Sequence, residues 1–85
     1  MNKMLIVIGL LFSFSLSAAP INVNNADAKA IAKALNGVGK VKSEAIVQYR
    51  EEHGAFGSAD ELTKVRGVSR KIVEKNREDI LLSDN

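Results

Sequence analysis

Leu35-Asn36-Gly37-Val38-Gly39-Lys40 and Val65-Arg66-Gly67-Val68-Ser69-Arg70 are one pattern written twice, thirty positions apart. Each copy runs from an apolar helix end through a spacer to Gly, Val, a small residue and a base. Glycine ends many helices because it takes the left-handed conformation at no steric cost, so a glycine alone identifies little. The repeated order, placed between two helices each time, is more specific. It predicts a pair of helix–helix corners related by an internal repeat.

The segments around the corners read as short helices. Asp27 can cap a helix by accepting from unpaired backbone N–H groups. Ala28, Ile31, Ala32 and Leu35 then recur at the spacing of one helix face, with Lys29 and Lys33 on the opposite face. A second helix is predicted from about Lys40 to His53, with Val41, Ala45 and Tyr49 every four residues and Ile46 beside them. Gly54 stops it, and Phe56 in the connector is expected to plug the core. Ser58 and Glu61 predict a capping box opening a third helix, in which Ser bonds the third helical N–H and Glu reaches back. Ser69 can cap a fourth helix with Ile72 and Val73 facing inward. Ile80, Leu81 and Leu82 are expected as a final turn closing the core. No alternation is long enough to predict a strand.

Each corner starts a helix, where unpaired N–H groups and the helix dipole favour an anion. In the first copy, Gly37 and Gly39 leave room for close approach, and Lys40 and Lys42 add charge. In the second, the donors are expected at Gly67, Val68 and Ser69, with Arg70 and Lys71 behind them. Val38 and Val68 are expected to brace the turns with their side chains and to offer their amides. The whole chain has 12 Lys and Arg against 10 Asp and Glu, a net charge of only +2. Residues 37 to 43 nevertheless hold two bases and no acid, and residues 63 to 73 hold four bases and no acid. Two basic anion corners in a pseudo-symmetric pair suit a ligand with two phosphate tracks, such as duplex DNA. Phosphate contacts position a protein without reading sequence, and no obvious reader of base edges stands out.

A length of 85 residues allows one small domain and excludes a cleft between two domains. With no Cys, disulfides and thiolate sites are excluded. Lys3 is the only charge in residues 1–19, Met4 to Leu16 is an uncharged and mostly apolar run, and Ser17-Ala18-Ala19 is small. These are marks of a secretory signal peptide. The expected division is a leader at 1–19 and a domain at 20–85. The apolar run makes a helix of roughly 20 Å against a bilayer core of about 30 Å, so no stable span is expected and an uncleaved anchor is the competing reading. Pro20 would follow a cut after Ala19, which leaves cleavage after Ser17 as an alternative. Loss of the leader leaves 11 bases and 10 acids.

Leu35-Asn36-Gly37-Val38-Gly39 followed by Ala45-Ile46-Val47-Gln48-Tyr49-Arg50 resembles a helix-hairpin-helix motif. The longer set of Asn22-Val23-Asn24-Asn25-Ala26, Tyr49 to Phe56, Leu62 to Val68 and Glu74-Lys75-Asn76-Arg77 resembles the ComEA family, the DNA receptors of natural competence. The resemblance runs from Ile21 to Ile80. It implies an all-α fold: a tandem helix-hairpin-helix domain of four to five short helices after a signal peptide. It implies binding of double-stranded DNA through the backbone, without sequence preference and without catalysis. The candidate DNA-binding residues are then Gly37, Val38, Gly39, Lys40 and Lys42, with Gly67, Val68, Ser69, Arg70 and Lys71. In Gram-negative members the domain follows directly on a signal peptide and acts in the periplasm. There it captures incoming DNA and prevents backward slippage, with the DNA-uptake machinery as a further partner. Gram-positive members carry an anchor and an extra region, for which this chain has no room. Some helix-hairpin-helix turns hold a monovalent cation through backbone carbonyls, so Na⁺ or K⁺ at a hairpin is compatible with the resemblance. No other cofactor or metal is expected.

Ser69 stands where the family favours Gly, Val41 where relatives often have Lys, and Ala30 where Glu would complete a capping box. Other readings remain. Helix-hairpin-helix modules also occur in glycosylases and nucleases beside a separate catalytic domain, and some pairs serve dimerisation. An exported DNA binder outside competence is a third. The single His53 sits at a helix end, where a cationic ring complements the dipole.

Overall fold

The computed structural model describes residues 19–84. The expected leader and its cleavage fall outside them, Ala19 excepted. Within them, Asp27 opens α1 (Ala28–Ala34) as its sequence predicts: its side chain accepts from the Ala30 N–H at 2.8 Å. After the first corner comes α2 (Lys40–His53), with the predicted bounds and with Gly54 closing it. The second corner leads into α3 (Arg70–Asn76), where Ser69 Oγ accepts from the Ile72 N–H at 3.2 Å. A single 3-10 turn, Arg77–Asp79, follows. No helix among the described residues is long and apolar enough to cross a membrane.

The segment before the second corner departs from expectation. Ala59–Lys64 is a 3-10 helix, and Ser58 makes no side-chain capping bond. Glu61 does reach back, but one residue further, accepting from the Gly57 N–H at 2.9 Å. The reason is span. A 3-10 helix rises about 2.0 Å per residue against 1.5 Å for an α-helix, so it carries six residues further from Phe56 to the corner.

The chain ends differ too. Ile80 and Leu81 form β2 rather than a closing turn, in parallel with β1 (Ile21–Asn22), Ile21 opposite Ile80 and Asn22 opposite Leu81. Two-residue strands are too short to print an alternation. Ile80 enters the core, whereas Leu81 points out. Asn24 ties this pair to the centre: its Nδ2 donates to the carbonyls of Phe56 and Leu82, and its Oδ1 accepts from the Phe56 N–H at 2.7 Å. Phe56 is thereby fixed in the core with Ile31, Leu35, Ile46, Leu62 and Val73.

Candidate nucleic-acid interface

The two corners fold alike. Gly37 and Gly67 have φ of 83° and 90°, a region closed to most side-chain-bearing residues. In each turn the following valine closes the loop: the Val38 N–H donates to Leu35 O at 3.3 Å, and the Val68 N–H to Val65 O at 3.0 Å. Both valine side chains are buried. Their bracing role is as expected, but their amides are not on offer to a ligand, because a tight turn consumes them. The N–H groups of Gly37 and Gly67, just before the valines, meet no acceptor among the described residues, and further unpaired donors follow each valine. Among the described residues, the N–H groups of Gly39, Lys40, Val41 and Lys42 meet no acceptor, and neither do those of Ser69, Arg70 and Lys71. Ser69 uses its own hydroxyl on Ile72, so the second corner presents fewer unpaired donors.

The corners lie side by side. A Cβ placed on Gly67 would come within 3.3 Å of Lys42 Cγ, and one on Gly37 within 3.8 Å of Ile72 Cγ1. Lys42 and Ile72 hold equivalent positions in the two copies, so each copy packs against the glycine of the other. Asn76, at the end of α3 and 1% exposed, completes the link. Its Oδ1 accepts from the Asn36 N–H and its Nδ2 donates to Asn36 O, both at 2.8 Å. A second bond from Nδ2 goes to Ile72 O. The first hairpin is therefore gripped by the last residue of the second. Neither Asn36 nor Asn76 stood out as a site residue in the sequence. The readable signal was an amide on the inner face of a helix.

Charge is less cleanly segregated than the linear windows suggest. Helical spacing brings Glu44 to Lys40 at 3.5 Å, and folding brings Asp60 and Glu74 to Arg70 at 3.8 and 3.7 Å. Arg77 holds the same two carboxylates more closely, at 2.6 and 2.7 Å. Its hydrogen bonds keep both carboxyls below their ordinary range. All these groups are largely exposed, and exposed pairs contribute only about 0–1 kcal/mol. A phosphate could draw Lys40 or Arg70 away at small cost. Lys42, Lys64, Arg66 and Lys71 make no salt bridge among the described residues. Arg50 is not part of this surface, since its Nη1 donates to the carbonyls of Val23 and Ala26 at 2.8 and 2.6 Å. His53 ends α2, exposed, with its ring stacked on Tyr49 at 4.1 Å. No group of three or more His, Asp or Glu that could hold a metal occurs among the described residues.

Two successive hairpins, each a helix, a glycine turn and a second helix, define a tandem helix-hairpin-helix domain. The helix-hairpin-helix motif family matches residues 17–81, and the chain belongs to that family. Within it the chain is ComEA-like: it is 40% identical over 62 residues to ComE operon protein 1 of Bacillus subtilis, covering 73% of this chain. An uncharacterized protein of Haemophilus influenzae is 49% identical over 61 residues, 72% of this chain. An endonuclease/exonuclease/phosphatase family domain-containing protein 1 of Xenopus laevis is 37% identical over 65 residues, 76% of this chain. The matched segments cover 30%, 54% and 12% of those three proteins' own lengths.

Proposed function

We propose that this domain binds double-stranded DNA through its phosphates, without sequence preference, and has no catalytic activity of its own. The observation that carries this reading is the juxtaposition of two hairpins that both present unpaired N–H groups, with Lys42, Lys64, Arg66 and Lys71 beside them and outside any salt bridge among the described residues. Donors of that kind hold a phosphate oxygen, and the dipole of the following helix adds to the attraction. A pair of such hairpins, locked side by side, can hold two stretches of backbone at once. Affinity should then fall steeply with salt, each neutralised phosphate adding about 0.9 to the log–log slope on B-DNA.

The ComEA-like character extends the reading. We take the chain to be exported by a cleaved leader to the periplasm and to capture and retain incoming DNA during natural transformation, alongside the uptake machinery. A labelled duplex titrated with the protein over a series of salt concentrations tests the binding. Two unrelated sequences should bind alike, and Lys42→Glu with Lys71→Glu should abolish retention. Undiminished retention in that double variant would refute the hairpin site. Incubation of the duplex with protein and Mg²⁺ should leave it intact, and strand cleavage would refute a purely binding role. A deletion strain should lose transformation, while N-terminal sequencing of the exported protein should find residues 1–17 or 1–19 removed.

A further inference from the structure

The two hairpins are equivalent in register but not in what the fold delivers to them. The residue five places after each glycine crosses to the other hairpin. Lys42 lays its stem along Gly67, with Cγ, Cε and Cδ at 3.3, 3.5 and 3.8 Å from where a Cβ would sit. Ile72 crosses in the same way to Gly37. The exchange is reciprocal in space and unequal in chemistry. The second hairpin, already flanked by Lys64, Arg66 and Lys71, gains a further cation. The first gains an aliphatic side chain. It keeps Lys40, which Glu44 engages, and Val41, an apolar side chain 78% exposed in the first turn of α2.

We propose that the hairpins divide the work: the second, with Lys42 seated on it, is the electrostatic clamp on DNA phosphates, and the first docks through its unpaired amides and an apolar contact from Val41 to the sugar edge of the backbone. This deepens the DNA-binding reading above and rests on it. Lys42 then belongs to the second hairpin's site, although it follows the first in sequence. Phosphate neutralisation is steeply salt-dependent, whereas burial of an aliphatic side chain is driven by the exclusion of water and involves no counterion release. A salt titration therefore separates the two contributions.

The probe is a fluorescein-labelled duplex of arbitrary sequence, read by anisotropy across a series of NaCl concentrations, with circular dichroism confirming the fold of each variant. Lys42→Met keeps an unbranched stem over Gly67 and removes the charge. It should lower the log–log slope by about 0.9. Lys40→Met should lower it by clearly less, because Glu44 already engages that charge. Val41→Ser should weaken binding on the order of three- to tenfold, as expected for losing burial of one aliphatic side chain, with the slope unchanged. A slope lost equally in the two lysine variants, or lost in Lys40→Met alone, overturns the division of work, as does wild-type affinity in Val41→Ser. Failure of the wild-type protein to bind the duplex in a salt-dependent way would instead remove the DNA reading itself.

Discussion

Asn76 is a polar side chain at an apolar address. It lies in helical step with Ile72 and Val73, and its place on the inner face of α3 is legible from that spacing. Its partner is not, because Asn36 lies forty residues earlier and meets it only through the fold. Asn76→Leu keeps the bulk and strips the hydrogen bonds from Asn36. Urea unfolding should show a loss of about 1–3 kcal/mol, the usual cost of leaving buried polar groups unpaired. Arg50 is a second residue whose partners the sequence does not disclose. It counts as a surface base by composition, yet its guanidinium satisfies two backbone carbonyls. Arg50→Met should cost roughly 1.5–3 kcal/mol, the range for hydrogen bonds to a charged group. The salt slope of DNA binding should not move. A slope reduced by one phosphate would instead place Arg50 in the interface.

At the scale of elements, caps explain which boundaries could be read. Asp27, Gly54 and Ser69 act locally, within a few residues, and their helices begin or end where predicted. Ser58 has the same chemistry on paper but makes no capping bond, because the segment it opens is stretched into a 3-10 helix between two fixed points. The two serines should therefore respond differently. Ser69→Ala should lower stability by about 1 kcal/mol, the typical worth of an N-cap. Ser58→Ala should leave the unfolding midpoint almost unchanged. The strand pair was illegible for another reason: two residues carry no periodicity, and their pairing depends on chain ends meeting.

That meeting contributes to the whole molecule's response to acid. Asp84 accepts from the side-chain amides of Asn22 at 3.1 Å and Asn25 at 2.9 Å, which holds its carboxyl below the ordinary value. Asp60 and Glu74 are held low by Arg77 in the same way. In the unfolded chain these carboxyls return to about 3.9–4.3. The stability they confer is thus complete above that range and lost as pH falls through the lower folded values. Urea midpoints should be flat from neutrality to about pH 5 and decline below about pH 4. Asp84→Asn should remove part of the decline.

The crossing of Lys42 and Ile72 bears on how separable the two copies are. The sequence presents them as successive repeats, and repeats invite transplantation. Here each copy supplies a wall that the other lacks. A hairpin grafted alone onto another scaffold would carry a bare glycine, and its stray long side chain would have nothing to cover. The duplicated motif is thus a pair of mutual complements, and the smallest portable piece is both together.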